Sequence, residues 1–199
     1  MKGKFITICT IALLGCLFSG CSSLESPHVV GEPVVFDGKH VGDVLTCQVG
    51  ETPLLLKVTD STHLRAAWPE WDQANDTFQL AGAEIVVSRL GKDILLANIK
   101  EDNSENYSIF LLSLVYGGEG PQGFKAVGFT VDDDAMDRLA SIETNRIGVH
   151  GSYGSTFVLE GNKEDADAFV ATYSKEMFLY SLGFEITQLS GENILENLL

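Results

Sequence analysis

The chain has 199 residues, 45% of them hydrophobic and 21% charged, with a formal net charge of −15. That apolar content suffices for one packed core and excludes an intrinsically disordered chain. With 28 acidic against 13 basic residues, it also excludes nucleic acid as a partner and any hold on anionic headgroups by surface charge.

The chain opens on a leader. Lys2 and Lys4 give a positive start, Phe5 to Phe18 is uncharged and mostly apolar, and Ser19 and Gly20 set small residues just ahead of Cys21. This apolar run is shorter than the roughly 20 residues a helix needs to cross a hydrocarbon core. The pattern therefore predicts an export signal over residues 1–20. Phe18-Ser19-Gly20-Cys21 resembles the lipobox of bacterial lipoproteins, with Phe18 where that family favours Leu. The resemblance implies cleavage between Gly20 and Cys21, a thioether-linked diacylglyceryl group on the Cys21 sulfur and acylation of the new amino terminus. A second match, Leu13-Leu14-Gly15-Cys16, would leave only about ten apolar residues ahead of the cut. A lipid bilayer, reached through acylated Cys21, is then the first expected partner. By analogy with Gram-negative sorting, Ser22 after the cysteine favours the outer membrane. Lys2 and Lys4 leave with the leader and no acidic residue does, which takes the formal charge from −15 to −17.

Cys9 and Cys16 leave as well, so Cys47 is the one thiol expected to remain free in the mature chain. Without an even set of cysteines, the domain is held by its core. Cys47 lies in the apolar-rich run Val44 to Val49 with no adjacent His or Lys, as a small buried hydrophobe would.

Residues 21–33 read as the lipidated amino terminus and a Ser-, Glu-, Pro- and Gly-containing tether, 34–190 as a single β-rich domain and 191–199 as a tail. Short β-prone runs punctuated by Gly, Pro, Asn and Asp follow one another from residue 43. They are Val44 to Val49, Leu54 to Val58, Ala83 to Leu90, Ile94 to Ile99, Tyr107 to Tyr116 and Phe124 to Val131, with later candidates at Phe157 to Leu159 and Phe184 to Leu189. Gly91-Lys92-Asp93 predicts a hairpin. Tyr107 to Tyr116 is apolar on both faces, which predicts a central strand covered twice.

Two helices interrupt the strands. Asp132 to Ser141 sets Met136, Leu139 and Ala140 on one side and Asp133 and Asp134 in the first turn. Asn162 caps the second, whose Ala166, Phe169, Val170, Tyr173 and Met177 form one stripe and for which Gly183 is the expected stop. The fold class is mainly β with some α: an antiparallel sheet or partly closed β-barrel with a short helix and one C-terminal amphipathic helix. The late order of short helix, strand and Phe-containing helix resembles small bacterial lipoproteins with a lipocalin-like β core.

Trp68-Pro69-Glu70-Trp71 is the candidate recognition surface: Pro69 disfavours a continuous central strand, and the two indoles flank it with large amphipathic area. Other motifs read as structure. Gly118 to Gly123 matches a dinucleotide fingerprint but leads into a strand instead of a helix, as a hairpin loop would. Asp132-Asp133-Asp134 reads as a cap and a solvated first turn. The four histidines lack zinc-site spacing, and His150 to Ser155 lacks a nucleophile elbow. No metal, cofactor or catalytic residue is expected. The function so predicted is a non-enzymatic envelope lipoprotein, a binding or structural module whose further partner is another envelope protein or a small apolar ligand. A lipocalin-like carrier is the alternative, and a hydrolase with an unrecognised site the third reading.

Overall fold

The computed structural model of the chain describes residues 22–49, 52–72, 75–116, 124–150 and 155–190. Its strands are β1 (Ser23–Ser26), β2 (Glu32–Pro33), β3 (Val44–Val49), β4 (Thr52–Val58), β5 (His63–Asp72), β6 (Thr77–Leu90), β7 (Ile94–Glu101), β8 (Tyr107–Tyr116), β9 (Phe124–Val131), β10 (Ile147–His150), β11 (Thr156–Leu159) and β12 (Phe178–Ser190). Two helices, α1 (Asp133–Ala140) and α2 (Lys163–Met177), lie among the last of them. The leader, Cys21, the loop over residues 118–123 and the tail over 191–199 lie outside the described residues.

Strands β3 to β9 and β12 pair antiparallel in the order β8-β7-β6-β5-β4-β3-β12-β9, and β9 pairs again with β8. The result is a closed eight-stranded antiparallel barrel. Closure satisfies the backbone of both edge strands, which an open sheet leaves unpaired. The inward side chains follow from the two-residue period of each strand. Leu45, Cys47, Leu56, Val58, Leu64, Ala66 and Val87 form an inner core with Phe36. Phe36 is held there by its backbone N–H, which donates to the Ser61 carbonyl at 2.7 Å.

A second core lies outside the barrel wall. Leu96, Ile109, Leu111 and Val131 turn outward and pack against Met136 and Leu139 of α1 and Phe169, Val170 and Met177 of α2. The capping geometry read from sequence is present. Asp132 Oδ1 accepts from Ala135 N at 2.7 Å and Asn162 Oδ1 from Asp165 N at 2.9 Å. Leu111 faces this outer core and Leu112 the inner one, so β8 is covered on both sides as its sequence requires.

Three expectations need correction. The segment expected as a tether is folded: Ser22, Leu24, Ser26 and Val30 are buried, and β1 runs parallel to β11 and antiparallel to β8. Val30 is the fixing point, its N–H donating to Asn98 Oδ1 at 2.9 Å and its carbonyl accepting from Ser88 Oγ and Asn98 Nδ2. Gly31 then passes so close to β6 that a Cβ would lie 2.8 Å from the Arg89 carbonyl oxygen, at a φ of +84°. Strand β5 also continues through Pro69, which lies past Ala67, the last residue of β5 in register with β4, so that β6 alone flanks it there. Finally, α2 stops at Met177 and not at Gly183. Phe178 adopts extended backbone and pairs with Val131, so the chain turns into β12 five residues early.

Asn98 and Ser88 are fully buried polar side chains that serve the N-terminal segment. Asn98→Ala removes the acceptor for the Val30 N–H inside the protein, and an orphaned buried donor costs about 1–3 kcal/mol. The expected outcome is a loss of about 2 kcal/mol in urea unfolding with an unchanged slope; an unchanged midpoint would show that Val30 is not fixed by this contact.

Candidate recognition surface

Strands β5 and β6 are longer than their neighbours. In β5 the register with β4 ends at Ala67, and in β6 the register with β7 ends at Ala83. Residues 68–72 and 77–81 therefore pair only with each other, from Trp68 opposite Ala81 to Asp72 opposite Thr77. They form a two-stranded arm that reaches about 17 Å beyond the barrel wall at ~3.3 Å per residue. Beyond the strands, Asp72 accepts from the Asn75 backbone at 3.2 Å and from its side chain at 2.7 Å.

The two indoles do not share a surface. Residues 68 and 71 differ by an odd number, so a strand sends them to opposite faces. Trp68 turns inward and packs half-buried against the inner core. Trp71 turns outward, with its ring 4.8 Å from that of Phe78 in an edge-to-face contact. Pro69 lies opposite Leu80 on this outer face, and Phe78 and Leu80 are 57% and 76% exposed. The row Pro69, Trp71, Phe78, Leu80 is thus a continuous apolar strip on a projecting arm. Sequence reasoning joined Trp68 to it and missed Phe78 and Leu80. The signal that could have found them is the alternation Thr77-Phe78-Gln79-Leu80 directly after Asn75-Asp76, a turn followed by a strand with one apolar face.

The arm is acidic, with Glu70, Asp72 and Asp76 and no Lys or Arg between residues 68 and 81. Behind it, Glu101 has its carboxyl held above the usual range, first by desolvation and then by the charges of Glu70 and Glu25. Arg65 pairs with Asp102 at the same end of the barrel, half exposed on both sides.

The remaining candidates are placed as follows. Cys47 is a free buried thiol whose pKa desolvation pushes up to about 11, which makes it a poor nucleophile. His40 Nδ1 lies 2.9 Å from Asp43 Oδ2, and His63 Nδ1 lies 2.9 Å from Asp60 Oδ1. His28 and His150 are exposed. No group of three metal-ligating side chains occurs among the described residues. Gly148 lets His150 and Glu160 approach: a Cβ there would lie 2.6 Å from Glu160 Oε1 and 3.1 Å from His150 Nε2. Thr156 is the cross-strand partner of His150, and residues 151–154 lie outside the described residues. No helix among the described residues is long and apolar enough to cross a membrane.

The Glu101 shift makes a pH dependence. The folded chain holds this proton more tightly than the unfolded one, so the stability that Glu101 contributes is full below the unfolded carboxylate pKa and is lost as pH rises through the raised folded value. Glu101→Gln is therefore expected to be more stable than the parent at pH 7, with the gap closing toward pH of about 4. Thermal unfolding across that range measures it, and parallel profiles would refute the electrostatic cause.

No family model, no curated protein and no solved structure matches this chain. What the molecule does must be read from its own residues.

Proposed function

We propose that this is a cell-envelope lipoprotein, anchored through acylated Cys21, whose barrel is a non-enzymatic binding module that presents the β5–β6 arm to a protein partner. The observation that carries the binding role is the apolar strip Pro69, Trp71, Phe78, Leu80, exposed on strands that have outgrown their sheet. A contiguous apolar row with aromatic anchors is what interfaces use, whereas single exposed hydrophobes are ordinary. The acidic flank of Glu70, Asp72 and Asp76 selects a partner whose apolar groove has a basic rim. Anchoring rests on the lipobox resemblance and on charge. An acidic domain has no electrostatic hold on a bilayer, one acyl chain gives only reversible attachment, and two or three on one residue make it lasting.

Barrel closure favours a second reading, a lipocalin-like carrier. Eight strands enclose room for side chains or for one small ligand. Against it, Phe36, Leu45, Leu56, Val58, Leu64 and Val87 already pack together in the interior.

Cys21→Ala is expected to abolish fatty-acid labelling and move the protein out of the membrane fraction; unchanged labelling overturns the anchor. With a photo-crosslinking residue at position 80, the anchored protein is expected to give one discrete protein adduct in cells, lost when Trp71→Ser is added. An adduct indifferent to Trp71, or none, overturns the arm as a contact surface. The carrier reading has its own reporter, because Trp71→Phe leaves Trp68 as the sole indole and it faces the interior. Its emission is expected to stay unchanged during titration with an apolar dye. Saturable quenching at one dye per protein would replace the module with a carrier.

A further inference from the structure

The folded start of the chain has a consequence for any lipid on Cys21. The next residue, Ser22, is only 5% exposed. Its Oγ accepts from Ser155 N at 3.2 Å, Ser23 N donates to the Ser155 carbonyl at 3.2 Å, and Ser23 Oγ donates to Thr156 Oγ1 at 3.3 Å. One residue spans at most about 3.6 Å of extended chain, so the lipid attachment lies within a residue of a strand locked in a sheet. There is no slack.

We infer that the edge formed by the start of β1, the start of β11 and the end of β10 is a bilayer-facing surface, against which the domain is docked instead of hanging on a tether. This rests on the anchoring at Cys21 proposed above. Leu24 pairs with Phe157 and Phe157 with Val149, so Val149 is two strand spacings from the anchor strand, about 10 Å. Val149 is 51% exposed on β10, the outermost strand of the sheet, and His150 beside it is exposed too. The bilayer is the occupant the chain path dictates, because Ser22, bonded to Ser155, is the sequence neighbour of the cysteine proposed to carry the lipid.

The same path separates the docked edge from the arm. Strand β1 is antiparallel to β8, and the ladder from β8 through β7 and β6 to β5 reverses three times, so β1 and β5 run in the same sense. Cys21 precedes the start of β1, whereas the arm extends past the end of the barrel toward which β5 runs. The lipid and the arm thus leave the barrel toward opposite ends, and docking one presents the other to the envelope space.

The test uses the acylated protein in phosphatidylcholine vesicles that carry a nitroxide-labelled lipid as quencher. Single cysteines introduced as Val149→Cys or Asp76→Cys take an environment-sensitive dye, since Cys47 is buried and poorly nucleophilic. Both sites are exposed and lie outside the two packed cores. The expected result is several-fold stronger lipid quenching at 149 than at 76, reduced to the level at 76 when a ten-residue Gly-Ser spacer is inserted after Cys21. Equal quenching at the two positions, stronger quenching at 76, or indifference to the spacer overturns docking. A protein that fails to float with the vesicles overturns the anchoring beneath it as well, so the two failures are told apart.

Discussion

Double coverage of β8 is the constraint on which the other elements depend. Its inward residues, Leu112 among them, complete the inner core, while Ile109 and Leu111 carry the outer one. Along its length β8 also has three partners. It pairs with β7 on one side; on the other it meets β1 at residues 107–108 and β9 at 111–116. The upper pairing closes the barrel and the lower one recruits the outer layer of β1, β11 and β10. A polar residue at Ile109 or Leu111 would therefore strike the outer core where the barrel wall meets it. Burying such a side chain is worth ~1.5–3 kcal/mol, and both belong to the cluster against which α1 and α2 pack.

What sequence made legible follows from how each signal is written. Strand β8 was visible because its run is apolar in both phases, and both helices because Asp132 and Asn162 spell their caps. Strand β1 was invisible for the converse reason. Ser-Leu-Glu-Ser carries a single apolar residue, and what holds it is pairing to β11, a partner more than a hundred residues away in the chain. The Val30 clasp is polar and non-local in the same way, since Asn98 and Ser88 look like ordinary strand residues until Val30 arrives. The early end of α2 belongs to this class too: Phe178 stops the helix by pairing with Val131, a choice that local propensity does not record.

The candidate site shows the same division at the scale of one dipeptide spacing. The sequence picks out a Trp-Pro-Glu-Trp cluster, but the parity of a strand decides which indole meets solvent, and parity is known only once β5 is known to run through Pro69. Pro69 then changes meaning. It does not break the strand; it stands where β5 has lost its β4 neighbour, so it marks the point at which sheet becomes arm. The exposed strip is the cost of that geometry, because two strands alone have no second layer to bury a face.

Charge and lipid act on the proposed arrangement in opposite directions, and their magnitudes decide the outcome. Near an anionic leaflet each charge is worth roughly 1 kcal/mol, and the interaction fades over a Debye length of about 8 Å. Glu25 is in the anchor strand but four residues from Cys21, about 13 Å along extended chain and so beyond that length, and Glu70, Asp72 and Asp76 belong to the end the anchor does not face. The repulsion felt at the docked edge is then about 1 kcal/mol at most, against ~0.8 kcal/mol for every methylene the lipid buries. An acyl chain of ordinary length outweighs it, and two or three do so by a wide margin. The acidity thus cannot detach an acylated domain. It can bias which end turns outward, since any tilt that brought the arm toward an anionic leaflet would add its carboxylates to the repulsion. On the proposed reading, an apolar strip flanked by acid would in this way be kept from the bilayer, its nearest nonspecific sink, and left for a partner that answers both properties.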